Sequence, residues 1–157
     1  MKRHMKTIQL VIISISLSIF SLIPLQAQET TFGLRTGIYS DPGDLFIGTE
    51  LLTPINENIY FNPNLEYVFI ENGDYLTLNF DAHYDFDTNS NLYIWAGGGL
   101  GILYLNPDGP VDSQTALGLN MLFGLGLKTS GRLVPYVQGK AIISDNSDFS
   151  LGLGIRF

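Results

Sequence analysis

The stretch Thr115-Ala-Leu-Gly-Leu-Asn-Met-Leu-Phe-Gly-Leu-Gly-Leu-Lys128 decides the fold. In an extended chain successive side chains point to opposite sides. Leu117, Leu119, Met121, Phe123, Leu125 and Leu127 therefore share one face, and Ala116, Gly118, Asn120, Gly124, Gly126 and Lys128 share the other. The same split recurs along the chain. Leu76, Leu78, Phe80, Ala82, Tyr84 and Phe86 alternate with Thr77, Asn79, Asp81, His83 and Asp85. Phe149, Leu151, Leu153, Ile155 and Phe157 alternate with Ser150, Gly152, Gly154 and Arg156, and Phe32, Leu34 and Ile38 oppose Gly33, Arg35 and Gly37. One face is large and apolar; the other is small or charged.

A water-soluble sandwich or barrel would turn the apolar face inward and cover its outside with Lys, Glu and Thr, not glycine. Here glycine holds positions 97, 99, 101, 118, 124, 126, 152 and 154 of the second face, which suits a crowded interior. The pattern is inside out. The apolar face is expected to meet lipid, and the strands to close on themselves, because bare backbone edges cannot be left in hydrocarbon.

Turn-forming residues at 41–44, 56–58, 71–74, 87–91, 106–109, 130–131 and 144–147 make seven breaks. Eight strands are thus predicted, near 30–39, 45–53, 59–70, 75–86, 92–105, 115–128, 133–143 and 148–157. Each is long enough to cross a bilayer, for which about 9 to 11 tilted residues suffice. The predicted fold is all-β: an eight-stranded antiparallel up-and-down transmembrane barrel with short connections. Tyr39, Phe69, Tyr75 and Tyr104 are expected to form an aromatic girdle at one rim, and Tyr60, Phe61, Tyr84, Phe86, Tyr93 and Phe157 at the other. Pro63 and Pro135 are expected close to strand starts, since proline cannot donate to a ladder.

Ahead of the strands, Lys2, Arg3 and Lys6 precede an apolar run over 8–23, and Leu25-Gln26-Ala27 follows Pro24. This reads as a signal peptide, 1–27, and leaves a single barrel domain over 28–157. From Gln28 onward the chain holds five Lys and Arg against fifteen Asp and Glu, a net charge of −10. Nucleic acid is not expected as a partner, because phosphate binding relies on a basic surface. The chain has no Cys and so no disulfide.

Taken together, the region from 28 onward resembles the small eight-stranded outer-membrane β-barrels of the OmpA membrane domain and OmpX kind. Its end, with Phe149, Leu151, Leu153, Ile155 and the terminal Phe157, resembles the C-terminal signal read by the barrel-assembly machinery. The resemblance implies a bacterial outer-membrane location, with the lipid bilayer as surroundings and that machinery as partner during biogenesis. It also implies that the N-terminus and three turns lie on the periplasmic side, with four short loops outside.

Arg35, Glu50, Glu66, Asp81, His83, Asp85, Lys128, Lys140 and Arg156 all fall on the small, polar face. They are expected to form an interior charge network, since a buried ion needs a partner. Asp81, His83 and Asp85 at alternate positions are a ligand set in chemical type, but the nearby cations favour ion pairing over metal. No cofactor is expected: the glycines at 97–101 lack the strand-to-helix setting of a phosphate loop. No enzyme activity is expected either, because His83 is expected toward the periplasmic half, away from Ser113 and Ser150. The expected role is structural or interactive, in a non-porin barrel filled by side chains. A small transport or ligand-binding barrel is the alternative, and an outer-membrane enzyme comes third.

Overall fold

The computed structural model describes residues 30–157 apart from Pro42, Val111 and Asn146. The expected signal segment 1–27 and the start at Gln28 lie outside the described residues. Eight strands follow in order: β1 (Thr31–Tyr39), β2 (Leu45–Pro54), β3 (Ile59–Val68), β4 (Gly73–Phe86), β5 (Leu92–Pro107), β6 (Gln114–Leu127), β7 (Val134–Ile143) and β8 (Asp148–Arg156). Every boundary lies within two residues of its expected place. Each strand pairs antiparallel with the next, and β1 pairs with β8 to close the barrel. At that seam Phe32 and Phe157 exchange both backbone hydrogen bonds, 3.2 and 2.9 Å, and their rings meet edge to face at 5.4 Å. Closure matters because an open β1 or β8 edge would carry unpaired N–H and C=O groups into hydrocarbon.

Connections are short, at most six residues (108–113 and 128–133). Those at 40–44, 69–72, 108–113 and 144–147 form one end of the barrel, here the loop end. Those at 55–58, 87–91 and 128–133 share the terminal end with both ends of the sheet.

The two faces are placed as the alternation predicts. On β6, Leu117, Leu119 and Met121 are 75, 56 and 61% exposed, whereas Asn120 between them is 3% exposed. The outward residues of all eight strands form a continuous apolar belt, far larger than a water-soluble monomer exposes. The buried charges and amides of this protein lie inside the barrel and its outside is greasy, as a lipid setting requires.

Two expectations need correction. Pro63 sits well inside β3, paired with Phe80 of β4, and not at the strand start. On its other side the ladder to β2 is interrupted between the pairs Glu50–Asn64 and Thr53–Phe61. Proline has no N–H to give the Leu51 carbonyl, and the neighbouring Asn62 Nδ2 donates to that oxygen instead at 2.8 Å. Of the girdle aromatics, Tyr39, Tyr60, Tyr75 and Tyr93 point inward: Tyr39 is 1% exposed, and the other three pack on interior side chains. Their parity places them with Arg35, Asn62, Thr77 and Trp95, and parity overrides closeness to a rim. Phe69, Tyr84, Phe86, Tyr104 and Phe157 remain outside, exposed near the rims.

An outward residue at mid-strand should tolerate charge far less than one at the rim. Leu119→Arg, midway along β6, should lower barrel stability by about 2–4 kcal/mol, and Leu127→Arg, at the strand end, by about 0–1 kcal/mol. Denaturant unfolding in lipid vesicles measures both, and equal penalties would contradict the placement of the belt.

Candidate functional site: the barrel interior

Eight strands enclose only enough space for side chains, and here those side chains fall into three layers. At the loop end Tyr39, Phe46, Val68 and Ile142 form a buried apolar cluster, joined by Ile70, Tyr75 and Leu103. At the terminal end Trp95, Leu122 and Tyr136 form a second cluster, joined by Tyr93. Between the clusters lies a polar layer built around Glu50 and Glu66, both essentially unexposed.

Glu66 accepts two hydrogen bonds from Lys140 Nζ, at 3.0 and 3.1 Å, and one from Thr77 Oγ1 at 3.1 Å. It also accepts from the Tyr39 hydroxyl and lies 3.1 Å from Arg35 Nη2. Glu50 accepts from Arg156 Nε at 2.7 Å and from Asn62 Nδ2 at 3.1 Å, with Arg35 Nη1 3.7 Å away. Arg35 thus lies between the two carboxylates and couples them. Its stem runs over Gly48, where an added Cβ would stand 3.2 Å from Arg35 Cγ. The glycine at that point leaves room for the stems of Arg35 and Glu66.

Asp81 faces inward as expected, but among the described residues no cation touches it. Asn64 Nδ2 donates to it at 2.9 Å and Asn120 Nδ2 at 2.8 Å. The same amides continue the network, with Asn120 Nδ2 donating to Asn79 Oδ1 at 2.8 Å and Asn79 Nδ2 to Thr77 Oγ1 at 3.0 Å. A chain of amides and one hydroxyl therefore runs from Asp81 to Glu66. Among the described residues this layer holds three buried basic side chains, Arg35, Lys140 and Arg156, and three buried acidic ones, Glu50, Glu66 and Asp81, equal in formal charge.

The remaining expected members lie elsewhere. Lys128 is an exposed residue just past the end of β6, and its Nζ sits 4.5 Å from the Tyr93 ring centroid. Its parity is inward, but at the mouth the long side chain reaches water and pairs with no interior acid. Asp85, at the terminal end of β4, has a side chain 17% exposed, and its Oδ1 lies 3.2 Å from His83 Nε2. His83 stacks on Tyr60 and tilts against Trp95, with centroids 5.7 and 5.6 Å apart. Asp81 and His83 do not converge on one point. Among the described residues no three His, Cys, Asp or Glu side chains are placed to share a metal ion.

Sequence reasoning put Asn79 and Asn120 on the inner face without giving them a partner, and missed the amides Asn62, Asn64 and Gln138 and the aromatic pair Trp95 and Tyr136. All share the parity of the ions, and that signal would have found them. The Arg156 guanidinium packs against both the Trp95 and Tyr136 rings, 4.8 and 4.5 Å from their centroids, a cation–π contact with each. Glycines on the next strand receive these rings. A Cβ at Gly124 would lie 2.1 Å from Trp95, and one at Gly154 would lie 2.2 Å from Tyr136. Aromatic rings from neighbouring strands thus cover Gly124 and Gly154.

Charge is unevenly shared between the two ends. The loop end carries Asp41, Asp44, Glu71, Asp74, Asp108, Asp112, Asp145 and Asp148, two in or beside each connection, and no Lys or Arg. The terminal end mixes Glu57, Asp85 and Asp87 with Lys128 and Arg132.

Removing one member of a fully buried ion pair leaves an uncompensated charge. Arg35→Ala should therefore destabilise the barrel by about 3–5 kcal/mol. In a double-mutant cycle with Glu66→Ala, the double variant should lose less than the sum of the two single losses. Additive losses would mean that the two side chains do not interact.

No protein-family model and no curated protein sequence matches the chain. Solved structures do. The N-terminal β-barrel domain of Pseudomonas aeruginosa OprF matches with a TM-score of 0.68 at 13% identity, covering 82% of this chain and 98% of that one. Neisserial surface protein A matches with a TM-score of 0.64 at 16% identity, covering 81% and 94%. The outer-membrane enzyme PagL matches with a TM-score of 0.57 at 12% identity, covering 81% and 98%. Identities this low speak for the fold alone: the chain has the fold of the small eight-stranded outer-membrane β-barrels.

Proposed function

We propose that the protein resides in a bacterial outer membrane as a structural or interaction barrel whose lumen is closed to solutes. The observation that carries this reading is the layered interior. Apolar clusters lie toward both ends, and between them the Glu50–Arg35–Glu66 network of β1–β3 is joined across the lumen by Lys140 of β7, which reaches Glu66 at 3.0 Å. An open channel would need a wider barrel, of about 16 to 18 strands as in porins. The lipid-facing belt and the fold shared with outer-membrane barrels support the location.

With the lumen filled, partners are met at the two ends or through the lipid face. The loop end, with eight carboxylates and no basic residue, argues against nucleic acid or another polyanion there. During biogenesis the barrel-assembly machinery would read Phe149, Leu151, Leu153, Ile155 and Phe157, which β8 and the final residue hold on the outer face.

PagL raises an enzymatic reading. His83, the one histidine after residue 27, does not support it. Its ring is buried between Tyr60 and Trp95, inside the barrel, and neither ring nitrogen bonds a serine. A nucleophile–base pair needs that contact.

Single-channel recording of the purified protein in planar bilayers tests the closed lumen. A quiet bilayer is the expected result. Steady, large, non-selective openings would move the assignment to a transport barrel.

A further inference from the structure

We propose that the loop-end edge of β6 is a docking edge whose occupant is an extended, basic segment of a partner protein, added as a strand beside Thr115 and Leu117. Such a strand would give the interaction role proposed above its partner, and it rests on that reading. The lumen can be closed to solutes whether or not the edge is occupied.

The edge arises from unequal strand lengths. β6 and β7 pair from Gly126–Tyr136 up to Leu119–Ile143, and there the ladder ends. Toward the loop end β6 continues to Gln114, still paired with β5 as far as Leu105. The register would set Leu117 level with Asp145 and Thr115 level with Ser147, but the chain turns back over 144–147 to enter β8. That turn bonds to itself. Ser144 N–H donates to Ser147 Oγ at 3.4 Å, and the Ser147 hydroxyl donates to the Ser144 carbonyl at 3.1 Å.

In an antiparallel sheet one residue directs its N–H and C=O to one neighbouring strand, and the next residue directs them to the other. Lys128 N–H donates to the Asn91 carbonyl at 2.7 Å, and the register runs on from there along β6 without a bulge. Even-numbered residues of β6 therefore address β5, and odd-numbered ones address β7. Leu119 still meets Ile143. Thr115 and Leu117 point to the same side, and among the described residues no group bonds their N–H or C=O. Four backbone groups stand open along one line, as the addition of a strand requires.

Exposed edges are usually blunted by Lys, Pro or a bulge. The run Gln114-Thr-Ala-Leu-Gly118 has none of these. Leu117, beside the open groups, is 75% exposed, so an added strand would also cover apolar surface. Charge selects the occupant. Asp112, just before β6, and Asp145, level with Leu117, are both exposed, and the eight carboxylates of the loop end have no Lys or Arg among them. A segment carrying Lys or Arg meets opposite charge on arrival, whereas an acidic one is repelled. A second copy would bring the same eight carboxylates. Within one membrane, moreover, rotation about the membrane normal sets two tilted β6 strands across one another and not side by side.

Backbone amide hydrogen exchange of the protein in lipid nanodiscs tests the edge, with a short end-capped peptide of alternating lysine and valine as the probe. Without peptide, the Thr115 and Leu117 amides are expected to exchange about tenfold or more faster than those of Ala116 and Gly118, which address β5. The probe should slow the first two by about tenfold or more and leave the other two unchanged. A fully N-methylated form, which keeps the charge but cannot donate, and a form with glutamate for lysine should slow neither. Protection of Thr115 and Leu117 before any peptide is added would mean that lipid or a second copy covers the edge, and overturns the proposal. No slowing by the lysine probe, or equal slowing by either control, overturns it as well.

Discussion

A strand in hydrocarbon cannot leave its N–H and C=O groups unpaired, and the rest of this protein follows from that constraint. Closing the sheet through β1 and β8 removes the edges. Closing it with only eight strands makes the enclosed space too narrow for bulk water and too long to leave empty. The interior must then be filled from within, and the outside must be apolar to match the solvent it meets. The constraint reaches single atoms. Where Pro63 removes a ladder donor, the Asn62 side chain supplies a replacement to the Leu51 carbonyl.

Filling a narrow lumen with ions carries a penalty that only pairing offsets, so the composition of the interior is tightly bound. Among the described residues three cations and three carboxylates occupy it, and amides carry Asp81, which no cation touches. Glu66 and Lys140 come from β3 and β7, which stand opposite one another across the barrel, so their contact fastens the two walls together. Apolar side chains do the same work toward each end at lower risk, since they need no partner. On the proposed reading the arrangement gives closure instead of passage.

Much of this was legible in the residues. Strict alternation in 115–128 and 148–157 revealed which face meets lipid, and parity put Arg35, Glu50, Glu66, Lys140 and Arg156 inside before any contact was known. Parity is local, so it needs no tertiary information. Which ions meet is not local. It depends on strand tilt and on the height each residue reaches in the closed barrel, and so Asp81 was expected beside a cation but found amides. The errors at Tyr39 and Lys128 have a shared cause: both lie at strand ends, where parity and distance from the rim compete. For buried Tyr39 parity wins and the ring turns inward onto Phe46, at 5.4 Å, while its hydroxyl reaches Glu66. For Lys128 the nearness of water wins. The amide ladder was only half seen: alternation put Asn79 and Asn120 on the inner face without partners, and Asn62 and Asn64 were passed over although they share the parity of Glu66.

The central claim is the inversion itself, with apolar side chains in lipid and ions inside. The chain has no cysteine, so single nitroxide labels can be placed cleanly at 117, 119, 121, 123 and 125. Their collisions with molecular oxygen and with a polar nickel chelate can then be measured in bilayers. The inverted barrel predicts that all five collide with oxygen, which concentrates in lipid, and that the chelate is excluded most strongly near 119 and 121, midway along β6. Labels shielded from oxygen, as in a packed core, or open to the chelate throughout, as on a wet surface, would contradict it.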